Sequence, residues 1–170
     1  MDQAEIMDVA YDAVWTLLKV TTPLMLIALG RASLEVFEIG RIEAHGTGTA
    51  LGDPTEAGAL AAVHSLEDRQ AAVVIGAAKA SVGHSEAASG QVGVLRVLEV
   101  VEGLAAAGNA QLRLLNPLVG ERLGLRAACF FLPSQSVASR QSSGVSAFGY
   151  SGTIAHTVVA LRTRTVQGES

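Results

Sequence analysis

The sequence predicts a three-layer α/β protein, in which helices cover both faces of a sheet. Short apolar segments alternate with longer segments of helical periodicity, and the last two predicted strands follow each other directly. Of the 170 residues, 49% are hydrophobic, only 4% are aromatic and 18 are glycine. This composition favours helices packed closely on a sheet over a disordered or fibrous chain.

Five strands and two long helices account for the pattern. The strands are expected at Arg41–Ala44, Ala71–Ala78, Ala127–Leu132, Val145–Phe148 and Ile154–Leu161. One helix is predicted from Pro54 to about Leu66 and a second from about Glu86 to Ala106. Apolar residues occupy most of the circumference of the second helix, which predicts burial on most sides. Residues 108–124 are expected to be irregular, with a turn at Asn116-Pro117, and residues 133–143 to form a loop.

The ends of the chain carry no recognisable chemistry. We divide the sequence into an unassigned segment, 1–27, a domain over 28–162 and a frayed tail, 163–170. The triplet Thr21-Thr22-Pro23 is expected to interrupt any helix in the first segment. Acidic residues near the start argue against a targeting peptide, and the apolar run Pro23–Leu29 is too short to span a bilayer.

Charge and cysteine usage limit the partners. The formal net charge of −4 provides no basic surface for nucleic acid, and no membrane partner is expected. The single cysteine, Cys129, excludes an internal disulfide and fits a reducing compartment. A cytoplasmic location is therefore the expectation.

The stretch from Ile42 to Glu56 is the most informative part of the chain. It reads as a short strand, a glycine-rich loop with His45 at its mouth, and a helix. Asp53 is predicted to be the N-cap of that helix, with Pro54 at its first position and Glu56 completing a capping box. A loop of this kind is how α/β proteins present catalytic groups at the ends of strands.

Two later stretches complete a set of three motifs. Residues 79–88 read Lys-Ala-Ser-Val-Gly-His-Ser-Glu-Ala-Ala, and residues 144–156 read Gly-Val-Ser-Ala-Phe-Gly-Tyr-Ser-Gly-Thr-Ile-Ala-His. Together with the stretch Ile42–Glu56, these segments resemble the motifs of β-ketoacyl synthases, most closely the ketosynthase domains of type I polyketide synthases. The resemblance implies the second, C-terminal half of a thiolase-like fold, with a mixed sheet. It also implies an acyltransferase that performs decarboxylative Claisen condensation of acyl and malonyl thioesters in polyketide or fatty acid biosynthesis.

The resemblance assigns roles to individual residues. His45 and His84 are expected to donate hydrogen bonds to the oxyanion that forms when the malonyl group loses carbon dioxide. Lys79 is expected to organise the site electrostatically, and its spacing from Glu86 predicts an ion pair between them. His64, by contrast, is expected to be a packing or surface histidine rather than a catalytic one.

Further roles concern the substrate. Thr47 and Thr49 match positions that hydrogen-bond the phosphopantetheine arm, while Phe148 and Tyr150 are expected to shape the acyl channel. The backbone N–H of Tyr150 is expected to be an oxyanion donor. The chain itself is predicted to bind no cofactor and no metal, because its substrates are carried on the phosphopantetheine of an acyl carrier protein.

The sequence departs from the family in two places. The nucleophilic cysteine of the family is missing, and Cys129 lies in an apolar strand where burial would leave its thiol inert. Ile154 replaces an asparagine that normally ties loops together. The chain is therefore not expected to condense acyl groups alone. Its expected partners are an acyl carrier protein and the cysteine-bearing N-terminal half of a ketosynthase, with homodimerisation of the complete synthase as a further possibility.

Other functions fit the sequence less well. A non-catalytic partner that binds carrier protein or a companion synthase remains open, because the histidines are present and the cysteine is not. A serine hydrolase could use Ser85 or Ser151, but both elbows lack the closing glycine. A phosphate-binding loop at residues 46–52 lacks the lysine of a P-loop.

Overall fold

A five-stranded mixed sheet forms the middle of the computed structural model, which describes residues 19–65, 69–103, 105–124, 129–138 and 142–161. Its strands are β1 (Arg41–Glu43), β2 (Val73–Gly76), β4 (Phe130–Phe131), β6 (Ser142–Phe148) and β7 (Ile154–Ala160). Their order across the sheet is β4-β2-β1-β6-β7. The first four are parallel, and β7 pairs antiparallel with β6. Two further short strands, β3 (Ala105–Ala106) and β5 (Val137–Ala138), form a separate antiparallel pair.

Helices lie on both faces of this sheet. They are α1 (helical over 19–32), α2 (Gly52–His64), α3 (Lys79–Val82), α4 (Ser89–Gly103) and α5 (Pro117–Leu123). On one face, side chains of α1, α2 and α5 pack with Ile42 and Ile75. On the other face, α4 packs through Val97 and Val100 against strands β6 and β2. The predicted three-layer arrangement is confirmed.

The prediction that Thr21-Thr22-Pro23 interrupts a helix near the N-terminus is wrong. Residues 19–32 are helical through Pro23, and Met25 and Leu29 point into the core with 0% and 4% of their surface exposed. Burial of two large side chains one turn apart outweighs the weak helix propensity of the local sequence. The boundary at residue 28 therefore falls inside α1, while residues 1–18 lie outside the described part of the chain.

Helix α4 differs from its prediction in length and in burial. It begins at Ser89, after the 3₁₀ turn Glu86–Ala88, and ends at Gly103. Its buried residues lie on one side, whereas Leu95 and Leu98 on the other are 66% and 41% exposed. The all-round apolar pattern therefore does not produce burial on most sides within this chain.

Two segments predicted to be irregular contain regular structure. Pro117–Leu123 forms α5, because Asn116 caps it by accepting a hydrogen bond from the N–H of Leu118 at 2.9 Å. Asn116-Pro117 is thus a helix start rather than a turn. In the predicted loop 133–143, β5 pairs with β3, and β6 begins at Ser142. Within the described residues, no helix has the length and apolarity needed to cross a membrane.

Candidate active site

The carboxyl ends of β1 and β2 bring the first two motifs together. The strands are parallel neighbours, with Glu43 opposite Gly76 in the register. The loop carrying His45 and the segment carrying Lys79 and His84 therefore start from the same edge of the sheet. The strand predicted at Ala71–Ala78 is shorter in the structure, where β2 covers Val73–Gly76 and helix α3 begins at Lys79.

Glu56 holds the loop after β1 in place. Its carboxylate accepts hydrogen bonds from the backbone N–H groups of His45 at 2.8 Å and Gly46 at 2.9 Å. The side chain is buried, and desolvation raises its pKa to about 7 although the two N–H donors act in the opposite direction. The predicted capping box is wrong: Glu56 reaches from the helix to the preceding loop instead of to the helix start.

The N-cap prediction for Asp53 is also wrong. Helix α2 begins at Gly52, whose N–H donates to Thr49 Oγ1 at 3.2 Å, so Asp53 lies inside the first turn. The Asp53 carboxylate accepts from the N–H of Gly48, with both oxygens 3.1 Å from the nitrogen. Both carboxylates at the start of α2 thus stabilise the glycine-rich loop.

His45 and His84 form a pair of imidazoles. Their ring centroids are 5.9 Å apart, and their planes meet at 87°. His45 is 9% exposed, whereas His84 lies at the surface of the described chain. Burial is the main cause that lowers the pKa of His45 to about 4, with further contributions from Lys79 and His84. The His45 ring is therefore neutral near pH 7.

The hydrogen bonds of His45 define its tautomer. Its Nδ1 lies 3.3 Å from the backbone N–H of Phe148 and 3.4 Å from Lys79 Nζ, and both of these groups are donors. Nδ1 must therefore be the acceptor, and the ring proton lies on Nε2. The Phe148 ring also contacts the imidazole, with centroids 5.0 Å apart.

His84 has the same tautomer in its neutral form. Its Nδ1 accepts from the backbone N–H of Glu86 at 3.1 Å and lies 3.0 Å from Ser89 Oγ. Glu86 adopts a φ of 45°, a left-handed conformation that non-glycine residues rarely occupy. Both imidazoles are thus held through Nδ1 and keep an Nε2–H group to donate.

Lys79 contacts His45 rather than Glu86. Its Nζ donates to the backbone carbonyl of His45 at 2.5 Å. Desolvation lowers the pKa of Lys79, although Glu56 and Glu43 act in the opposite direction. The predicted ion pair with Glu86 is wrong, because the ion pairs of the described residues do not include it and Glu86 lies exposed.

A cavity of about 570 Å³ opens beside these groups. Its lining includes the polar residues Thr47, Lys79 and His84 but not His45. The rest is largely aliphatic and comes from α2, α5 and the segment before α5, among them Leu60, Leu112, Leu115, Val119 and Leu123. Asn109 fixes that segment to the sheet, since its side chain accepts from the N–H of Ala77 at 2.9 Å and donates to the carbonyl of Ile75 at 3.0 Å.

The residues predicted to bind the substrate differ in where they lie. Thr47 lines the cavity, and its Oγ1 is 3.3 Å from that of Thr49, which is exposed. Tyr150 is fully exposed on the turn between β6 and β7, and Ile154 faces Phe148 across that hairpin. The substrate roles of these residues stay predictions.

The other histidines and the cysteine lie apart from this arrangement. His64 is 1% exposed near the end of α2, and burial lowers its pKa to about 3, as suits a packing residue. His156 Nδ1 lies 3.1 Å from Ser146 Oγ on β6. Cys129 packs partly buried against the core just before β4, at the amino edge of the parallel strands, whereas His45 follows their carboxyl edge. Among the described residues, no cluster of three or more His, Cys, Asp and Glu side chains could hold a metal ion.

Comparison with known protein families identifies the family of this chain. The sequence profile of the family described as "Beta-ketoacyl synthase, C-terminal domain" matches residues 19–112. The chain belongs to this family. The match includes the motifs of both histidines and starts upstream of the boundary predicted at residue 28.

Curated relatives are polyketide synthases. The chain is 35% identical over 133 residues to erythronolide synthase EryA2 of Saccharopolyspora erythraea, covering 78% of this chain and 4% of that protein. It is 40% identical over 138 residues to the highly reducing polyketide synthase cm3B of Cordyceps militaris, covering 79% and 5%. The chain thus spans less than a tenth of the length of these relatives.

Solved ketosynthases share the fold of this chain. The oxazolomycin ketosynthase domain OzmH KS7 of Streptomyces albus superposes with a TM-score of 0.76 at 29% identity, covering 90% of this chain and 28% of that one. Ketosynthase twelve of the bacillaene polyketide synthase of Bacillus amyloliquefaciens gives 0.76 at 27% identity, covering 86% and 26%. These neighbours confirm the thiolase-like α/β fold and the interpretation of the chain as a C-terminal ketosynthase fragment.

Proposed function

We propose that His45 and His84 stabilise the enolate that forms when a malonyl-type thioester loses carbon dioxide. The bond between the carboxylate carbon and the α-carbon breaks, its electron pair enters the enolate, and negative charge develops on the thioester oxygen. Two preorganised N–H donors that meet at this oxygen lower the barrier. The chain then serves as the C-terminal part of a β-ketoacyl-[acyl-carrier-protein] synthase.

The observation that carries this proposal is that the two neighbouring rings share one tautomer, with centroids 5.9 Å apart. Each imidazole accepts hydrogen bonds at Nδ1, which leaves Nε2–H as the donor on both. The lowered pKa of His45 keeps its ring neutral, so it donates without carrying a charge that would bind the malonyl carboxylate instead. By analogy with oxyanion holes, one such donor is worth about 2.7–4 kcal/mol in the transition state.

Lys79 is proposed to position His45 and to make the site more positive. The ammonium donates to the backbone carbonyl of His45 and lies beside its Nδ1. It therefore opposes protonation of the ring while favouring the approach of an anionic substrate. Lys79 is thus proposed to act in two ways, through its hydrogen bond to His45 and through its positive charge.

The cavity supports a thioester on a long arm as the substrate. Thr47 in its lining suits the amides of phosphopantetheine, with Thr49 as a further hydrogen-bonding group beside Thr47, and its aliphatic lining suits a chain of methylene groups. Phe148 and Tyr150, which do not line this cavity, are proposed to border the acyl chain beyond it, with the Tyr150 N–H as an oxyanion donor. The substrates arrive on an acyl carrier protein, and the chain supplies no cofactor of its own.

Condensation needs a nucleophile from elsewhere. The enolate carbon must attack an acyl thioester and expel its thiolate, and Cys129 lies at the opposite edge of the sheet from the histidines. We propose that a cysteine-bearing N-terminal ketosynthase half supplies that thiolate and covers the exposed Leu95 and Leu98 on α4. The complete synthase is then proposed to be a cytoplasmic homodimer.

A non-catalytic partner is the second candidate, favoured by the position of Cys129. A serine hydrolase receives no such support, because Ser85 Oγ is buried without a hydrogen-bond partner in the described residues and His84 contacts Ser89 instead.

Release of carbon dioxide separates the two candidates. Malonyl-carrier protein is incubated with the chain alone and with a cysteine-bearing first half. Catalysis predicts release when both halves are present, whereas a non-catalytic partner predicts complex formation without release. H156Q is the control histidine variant, since His156 contacts Ser146 and does not belong to the His45–His84 pair.

A further inference from the structure

Arg41 is a buried cation in β1, the middle strand of the sheet. It is 1% exposed, and its Nη2 donates to Glu43 Oε2 at 2.7 Å. Two residues apart on one strand, both side chains point to the same face of the sheet. Each side chain exposes only 2% of its surface, so the ion pair is shielded from solvent.

A glycine in the neighbouring strand makes room for this pair. A Cβ atom at Gly76 would overlap the guanidinium of Arg41. The position of Arg41 therefore depends on the absence of a side chain at Gly76.

Glu43 connects this pair to the candidate site. Its second oxygen, Oε1, accepts from the backbone N–H of Ala78, which directly precedes Lys79. Helix α3 begins at Lys79, has only four residues and buries none of them. With so little packing of its own, this turn is held by two hydrogen bonds to residues outside it, from the N–H of Ala78 to Glu43 and from the N–H of the preceding Ala77 to Asn109.

The pair is a poor source of stability. Nε and Nη1 of Arg41 are buried without a partner in the described part of the chain. Buried ion pairs often contribute no more than apolar residues of similar volume, and buried donors without partners add a cost. A positional role explains why the strand holds a charge pair here.

We propose that Arg41 is a positioning residue: it fixes the Glu43 carboxylate, which holds Ala78 and thereby places Lys79 against His45. The inference rests on the proposed function only for its catalytic consequence, because the placement of Lys79 can be measured without turnover.

Histidine-selective ¹⁵N NMR of the whole chain over a pH series tests this role. Lys79 and His84 are the charged groups that oppose protonation of His45. When Lys79 loses its placement, the midpoint of His45 rises from about 4 by roughly one pH unit. We expect this rise in R41M and in G76A, whose methyl group displaces the guanidinium, and a near-normal midpoint in R41K.

Two further variants are compared, one that removes both buried charges and one that serves as a control. R41M/E43M removes both buried charges together with the acceptor of the Ala78 N–H, so it stays folded if R41M leaves an unpaired carboxylate that unfolds the chain. It should show the same rise as E43M, since Arg41 acts through Glu43. R96M removes an arginine that pairs with Glu99 on the surface of α4 and should leave the midpoint unchanged.

An unchanged His45 midpoint in folded R41M, G76A or R41M/E43M overturns the proposal. Failure of the proposed function has a different signature: the wild-type chain with its first half would release no carbon dioxide while the NMR result stands.

Discussion

His45 and His84 meet edge to face, with ring centroids 5.9 Å apart, although they belong to different connections of the fold. Each ring is held at Nδ1 by a backbone N–H group, that of Phe148 for His45 and that of Glu86 for His84. These backbone donors favour the same tautomer in both rings, so each ring keeps an Nε2–H group to donate.

The contact with Lys79 should contribute to the low pKa of His45. K79M removes the ammonium while preserving most of the side-chain volume, so the pKa of His45 should rise from about 4 toward its ordinary value of 6.5. It should not reach that value, because desolvation is the larger cause. Histidine NMR titration measures the change. A pKa that stays at about 4 in K79M would show that the lysine charge has no influence.

Glu56 should make the stability of the chain depend on pH. Its pKa is raised from 4.5 to about 7, so the folded state binds more protons than the unfolded state between these values. Its contribution to the free energy of unfolding is thus present at low pH and lost as pH rises toward 7, by about 1.4 kcal/mol per pKa unit. Urea unfolding of wild type and E56Q at several pH values isolates this contribution, because E56Q cannot titrate. Equal pH dependence in the two proteins would contradict the assignment.

Gly93 should tolerate no side chain. A Cβ atom there would lie 3.0 Å from Val145 Cγ1, where α4 packs on β6, so G93A should lower the free energy of unfolding by about 1–3 kcal/mol. G103A is the matched control on the same helix, since nothing lies within 4 Å of a Cβ atom at Gly103. Thermal or urea unfolding compares them. Equal stability of the two variants would be the contrary result.

The exposed apolar residues of α4 should drive self-association of the chain. Leu95 and Leu98 are 66% and 41% exposed on one side of the helix. The double variant L95K/L98K should shift the chain toward the monomer in sedimentation velocity, whereas Q91K, at an exposed polar position of α4, should not. Similar sedimentation of both variants would place the contact elsewhere.

The histidine pair could be predicted from the sequence because it depends on short motifs at the ends of neighbouring strands. The fold class followed from the alternation of strands and helices. The partners of the charged residues could not be predicted in the same way. Glu56 was expected to cap its own helix, but it accepts from His45 and Gly46, and the choice depends on how the loop folds back.

Other differences have similar causes. The spacing in sequence predicted an ion pair between the side chains of Glu86 and Lys79. In the structure, Glu86 adopts a left-handed conformation, its side chain is exposed and its backbone N–H donates to His84. No pattern in the sequence indicates the proposed role of Arg41, because that role depends on Gly76 in the adjacent strand. The pairing of β3 with β5 joins two-residue strands that no periodicity can reveal.

Both imidazoles are proposed to donate to one developing oxyanion. The rate of malonyl-carrier decarboxylation in H45Q, H84Q and the double variant, with the cysteine-bearing half present, measures this joint action. We predict a loss of roughly 10²–10³-fold for each single variant, and a double variant within about tenfold of the slower one, because the two donors act as a unit. A wild-type rate in either single variant would contradict the account.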